Sequence, residues 1–325
     1  MRQDPNAEIT QLFANYKEYV MRTFPESATY EGDHRFDDRL TDLSENAEVA
    51  HYDSLRMYSK QLAAIDTSKL TPENRVNYTL VSEMFAEAFE AEKFHGYLMP
   101  LTQQDGIHIG FPQIIESQVL KTPGDYEKYF ARLRGFGKQV TDIIANMKKG
   151  MNEKLVPPKF AMEQVLTQIT AIKDVPVDSS PFMMPALSID KSWSQSDKDR
   201  ITKELAAIIG SDIKSNYQTL YDFIKNEYLP NCRAIDGVSA LPDGEERYKF
   251  AIRHETTTSM TADEIFNLGM KEVTRIQALM EELKNQIGFK GTLAEFNKYL
   301  LTDVLRGLWN FDGFVVSDLG GIESS

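Results

Sequence analysis

The feature that most constrains the fold is a helical apolar period that recurs with its own start and stop signals. It is clearest in "TADEIFNLGMKEVTRIQALMEELKNQIG", where Thr261 and Glu264 form a capping-box pair able to satisfy the free backbone donors of a first turn. Ile265, Leu268, Val273, Ile276, Leu279, Leu283 and Ile287 then follow the spacing of one buried face, and Gly288 is a natural stop. "TPGDYEKYFARLRGFGKQVTDIIANMKKG" repeats the design. Thr122 caps, Pro123 suits the first helical position, Asp125 sits near the positive end of the helix dipole, and Gly150 closes the segment. A third start is capped by Thr71 and ends at Gly96; the pattern predicts further helices over 6–23, 45–64, 158–172, 195–209 and 212–228.

Between these segments proline and glycine cluster, in "YLMPLTQQDGIHIGFP", "VPVDSSPFMMPALS" and "YLPNCRAIDGVSALPDG". They read as irregular connections packed on the helices, and long loops in a compact protein often line a site or lid. Only 312–317 looks strand-like, and no internal repeat or low-complexity region occurs. The expected fold class is therefore mainly α: an irregular multi-helix domain with long loops and little or no β-structure. A chain of 325 residues can bury a sizeable core, as one large domain or two smaller ones. Its net charge of −13 argues against a general affinity for nucleic acid or anionic membrane, which need clustered positive charge. The single cysteine, Cys232, excludes an intramolecular disulfide and zinc sites built on several cysteines. "MRQDPNAEIT" has no signal-peptide core and no run of about 18 apolar residues follows, so the chain reads as soluble, without a membrane span and without its own export signal.

Four places invite a chemical reading. In "RHETTTSM" His254 stands beside Glu255, as in a zinc-peptidase helix, but the second histidine needed one turn later is Thr258. The threonine run favours an extended lead-in to the next helix, leaving His254 as a candidate substrate-binding side chain. "EGDHRFDDRL" gathers Asp33, His34, Asp37 and Asp38. Oxygen ligands at such spacing can hold a divalent cation, although a capped turn with solvated carboxylates is the commoner use of the pattern. His108, in the glycine-flanked "QDGIHIGFP", lines a pocket or packs in a loop. No nucleophile elbow, phosphate-binding glycine loop or dinucleotide fingerprint occurs. In the tail, "FVVSD" delivers Asp318 at the end of a strand-like run, the way barrel enzymes present catalytic carboxylates. Retaining glycoside hydrolysis would need a second carboxyl group about 5–5.5 Å away; Glu323 is near in sequence only.

Four stretches, "FPESATYEGDHRFDDRLTDLS", "YLMPLTQQDGIHIGFPQ", "TPGDYEKYFARL" and "TTTSMTADEIFNLGMKEVTRI", resemble the bacterial domain-of-unknown-function family 885 over residues 10–299. The resemblance implies a mostly helical, exported, zinc-peptidase-like protein. The family's metal helix belongs to a later half not represented in this sequence. Zinc is thus implied for full-length relatives, and no cofactor for these residues. "LLTDVLRGLWNFDGFVVSD" is similar to a different family, the nucleophile segment of glycoside hydrolase family 3. By that match Asp318 would be the nucleophile, with Leu319 where that family usually has tryptophan.

The two resemblances imply a helical part over 1–299 and a tail over 300–325, meeting near Tyr299 to Leu301. Helical spacing of Leu293, Phe296, Leu300, Val304 and Leu305 equally allows a helix across that point. The first functional expectation is a truncated zinc-peptidase-like protein with weak or no catalysis of its own. The alternative is a retaining glycosidase acting through Asp318. Either activity would make it a hydrolase. Apolar surface left by a missing half would have to be covered, so self-association, most simply a dimer, is expected. A small peptide or carbohydrate ligand fits the loop-rich groove.

Overall fold

The computed structural model describes residues 4–313. It divides into two compact units, Met1–Phe250 and Ala251–Ser325. The fold is mainly α: among the described residues no strand forms, and one isolated bridge joins Pro158 to Arg233.

The first unit opens with α1 (Pro5–Thr23), α2 (Pro25–Tyr30), α3 (Glu45–Ala63) and α4 (Pro72–Glu92). Then come α5 (Ile107–Ser117), α6 (Pro123–Asn152), α7 (Lys159–Lys173), the single turn α8 (Met184–Leu187), α9 (Gln195–Ile208) and α10 (Lys214–Phe223). The helix starts expected from Thr71 and Thr122 are made: each hydroxyl accepts from the backbone three residues on, and Asp125 completes a reciprocal box at α6. The two helices expected over 195–209 and 212–228 form one continuous run, because π-turns at Ile209–Ile213 and Ile224–Tyr228 carry the chain through.

α6 is the axis of the larger core. Phe130, Leu133, Phe136, Val140, Ile143 and Met147 face α5, α7, α9 and α10, burying Ile114, Val165, Leu205 and Leu220. Each fully buried side chain of this size contributes about 1.5–3 kcal/mol. Phe111 stacks on Phe136 with ring centroids 4.2 Å apart. A second cluster joins α1, α3 and α4 through Ile9, Leu55, Leu62 and Phe85.

Two segments depart from expectation. "GIHIGFP" is not a loop: α5 begins at Ile107 and carries Pro112 in its interior. Proline cannot bond the carbonyl four residues back, which belongs to His108. The buried Tyr217 hydroxyl donates to that carbonyl instead, at 3.1 Å, so tertiary packing repairs what the local sequence breaks. Likewise, "RHET" is not an extended lead-in. It ends α11 (Gly244–Thr256), and the chain turns only at Thr257, whose φ is +53°.

The second unit comprises α12 (Ala262–Gln286), α13 (Leu293–Tyr299) and a π-helical continuation, Leu300–Leu308, after the end of α11. Its two helices have the capping boxes Thr261–Glu264 and Thr292–Glu295. Helical structure therefore crosses residues 299–301, as the spacing allowed. Of the strand-like run, Asp312 and Gly313 are not in a strand, and the rest lies outside the described residues. Phe296 is the one buried large apolar side chain among the unit's described residues.

Candidate functional site

Three polar residues spaced seven apart on α6 form a ladder beside the main cleft of the first unit. Arg132, Gln139 and Asn146 are buried on the helix's otherwise apolar face. Arg132 donates through Nε to the Arg39 carbonyl at 3.0 Å and through Nη2 to the Phe36 carbonyl at 3.0 Å. Gln139 donates to the Thr41 carbonyl at 3.0 Å, and Asn146 to the Leu43 carbonyl at 2.8 Å. Rungs seven apart return to the same side of a helix after two turns, so they zip the irregular segment 36–43 along α6.

This strap closes a two-lobed cleft. The larger lobe, about 370 Å³, lies between α2 and the strap on one side and Ile107, Gly110, Phe111 and Ile114 of α5 on the other. Glu26 of α2 faces it and is fully engaged, accepting from the Thr41 amide and hydroxyl and from Gln139 Nε2. Phe24, Thr41, Leu43, Pro100 and Ile143 line both lobes. The smaller lobe, about 190 Å³, adds Asp42, Glu48 and His51. Burial opposes ionisation of Asp42, but Lys138 and Ser44 hold its carboxyl down at about 2. Burial raises the Glu48 pKa above the usual carboxylate range, and the nearby Glu92 charge adds to the effect. Burial lowers the His51 pKa. Its Nδ1 lies 2.8 Å from the Tyr19 hydroxyl and its ring stacks on that of Tyr19. A carboxyl pushed up and an imidazole pushed down on consecutive turns of α3 mark a place where neutral forms are favoured at one wall of a pocket.

The residues singled out from sequence fall elsewhere. Asp37 is not a solvated carboxylate: it is buried, accepts from the Thr29 hydroxyl at 2.7 Å and meets His34 Nδ1 at 3.0 Å, with Arg132 Nη2 3.5 Å away. Burial lowers the Arg132 pKa, Asp37 opposing the shift. Asp38 pairs with Arg39. His108 is fully buried in the first turn of α5, with Nε2 on Gln168 Oε1 at 3.0 Å and Nδ1 without a partner. Burial lowers its pKa against the opposing Gln168 bond. His254 is exposed near the end of α11. Asp318 lies outside the described residues. Burial pushes the Cys232 thiol up to about 11, so it is no thiolate nucleophile at neutral pH.

Of these places, none among the described residues offers a donor set that fits a zinc ion. Among the described residues no three His, Cys, Asp or Glu side chains are grouped to hold a metal. At His34 and Asp37 the Arg132 guanidinium already supplies the positive charge a cation would bring. The cleft residues Glu26, Glu48, His51 and Gln139 were not singled out from sequence. The one available signal was three polar residues at a spacing of seven inside an apolar helix face.

A family model described as "Bacterial protein of unknown function (DUF885)" matches residues 25–307. The chain belongs to this family. The match covers the strap and every cleft residue except Thr23 and Phe24, and passes through residues 299–301. No curated protein matches the chain. Two solved structures, each described as a putative lipoprotein, share the fold. The one from Colwellia psychrerythraea has a TM-score of 0.80 at 18% identity, over 90% of this chain and 53% of its own length. The one from Shewanella oneidensis has a TM-score of 0.63 at 17% identity, over 86% of this chain and 48% of its own. The chain thus spans about half the length of these two proteins. Among the described residues no helix is long and apolar enough to cross a membrane.

Proposed function

We propose that the first unit is the ligand-gripping part of a zinc-peptidase-like helical body, and that it binds a short peptide without hydrolysing it. The supporting observation is the joined cleft itself: an apolar lobe opening beside a smaller one that carries Glu48. An apolar side chain would fill the space against Phe111 and Ile114. The peptide's ammonium would reach Glu48, whose carboxylate is half-buried and so gains from a cation brought into its pocket. Metal chemistry finds no donor set among the described residues, so no hydrolytic step is assigned to them. The two solved relatives, each described as a putative lipoprotein, support a role outside the cytoplasm.

Gly110 provides a clean test, because a side chain added there meets open space and fills the larger lobe. In calorimetric titration with a panel of apolar tripeptides, binding by the wild type should disappear in Gly110→Leu with the melting temperature retained. Glu48→Gln should weaken binding of free-amine peptides at least tenfold and leave N-acetylated ones unchanged. No heat of binding from the wild type at millimolar peptide would refute the reading. The alternative, glycoside hydrolysis through Asp318, rests on the tail resemblance; it requires β-glycoside turnover that is lost in Asp318→Asn.

A further inference from the structure

The larger lobe of the cleft has apolar walls and an acidic end. Phe111, Ile114 and Ile143 line it, and Asp105 stands beside them where α5 begins. Asp105 is exposed but fixed in place: its amide donates to the Thr102 hydroxyl at 3.0 Å, and its Oδ1 accepts from the Gly106 amide at 2.7 Å. Oδ2 has no partner among the described residues.

Charge along the cleft is one-sided. The carboxylates of Glu26, Asp42, Glu48 and Asp105 line the two lobes, and no lysine or arginine does. Asp42 is paired with Lys138, and Glu26 is taken up by Thr41 and Gln139. Glu48 and Asp105 have no lysine or arginine partner among the described residues, and each lines a different lobe. A ligand carboxylate would meet only like charge here. An apolar segment with a cation at each end matches both lobes.

We propose that the larger lobe selects a long aliphatic side chain tipped with a cation, so that the preferred ligand is a peptide beginning with lysine. This rests on the peptide-binding reading above and sharpens it. The N-terminal ammonium takes Glu48, the lysine methylenes lie against Phe111 and Ile114, and the ε-ammonium takes Asp105 Oδ2. Lysine suits such a place because its stem covers apolar surface while its charge stays in water at the exposed end. A wholly apolar side chain fills the same walls and leaves Asp105 unused, and a glutamate sets like charge against it. A free diamine such as cadaverine carries the same chemistry, an aliphatic stem with an amine at each end.

Calorimetric titration of the full chain with tripeptides that differ only in the first residue, lysine, norleucine or glutamate, tests the proposal. Norleucine keeps the stem and drops the charge. The lysine peptide should bind about fivefold more tightly than the norleucine one, the upper range for an exposed ion pair, and the glutamate peptide should bind weakest. Asp105→Asn keeps an oxygen acceptor for the Gly106 amide. In that variant the lysine peptide should fall to the norleucine value while the norleucine peptide is unchanged. The lysine preference should also shrink as salt is raised. Equal binding of the lysine and norleucine peptides by the wild type would overturn the inference and leave the peptide-binding reading standing. A preference that survives Asp105→Asn would overturn it as well. No binding of any of the three would overturn both. Cadaverine binding as tightly as the lysine peptide, and weakened in the same variant, would support the site with a free diamine as its source.

Discussion

Replacing Arg132 by methionine tests the logic of the strap. The guanidinium is fully buried and makes four hydrogen bonds, to the Arg39 and Phe36 carbonyls, Gln118 Oε1 and the Thr29 hydroxyl. Methionine preserves much of the volume but leaves the buried Asp37 carboxylate with only Thr29 and His34, and takes the donor from the Arg39 carbonyl while the Phe36 carbonyl keeps only the Arg39 amide. Breaking a buried pair from one side costs about 3–5 kcal/mol, because the remaining charge has no compensation. At roughly 2–4 °C per kcal/mol for a domain of this size, the melting temperature should fall by roughly 6–20 °C. Urea and thermal unfolding followed by circular dichroism at pH 7 would measure it. Asp37→Asn combined with Arg132→Met should lose less than the sum of the single changes, since the asparagine removes the charge that methionine strands. A loss under about 1 kcal/mol for Arg132→Met, or strict additivity in the double variant, would refute the argument.

The folded-state pKa of His51 lies below its unfolded value, so its contribution to stability is present above about pH 6.5 and is lost as pH falls through the folded value. His51→Phe should therefore flatten the decline in melting temperature between pH 7 and pH 5, and an unchanged slope would contradict it. At Gly150 an added Cβ would lie 2.6 Å from the Leu98 carbonyl oxygen and 2.8 Å from that of Leu155. Because both neighbours are backbone, Gly150→Ala should destabilise by about 1–3 kcal/mol despite its better helix propensity, measurable by urea unfolding.

Local rules made most of the fold legible. Thr71, Thr122 and Thr261 start the helices they were expected to start, because a cap and its first turn are complete within four residues. The same locality explains the two departures. Gly110 and Pro112 argue against a helix in isolation, and the distant Tyr217 hydroxyl, together with core packing of Phe111 and Ile114, supports α5 instead. The threonines after His254 suggested an extended chain, yet α11 continues to Thr256.

The cleft was less legible than the helices, for a physical reason. Asp37 looked like a solvated carboxylate because nothing within ten residues shows that Arg132 lies against it. Glu48 and His51 are ordinary surface-type residues on an amphipathic helix until the strap and Pro100 close over them. The sequence by itself determined the helical class, the helix starts and the apolar stripe of α12, since period and capping depend on neighbours along the chain. Only the tertiary structure decided which polar residues are buried, where the cleft lies and which ionisable groups are shifted, since burial and charge pairing depend on neighbours that the chain brings together from far apart.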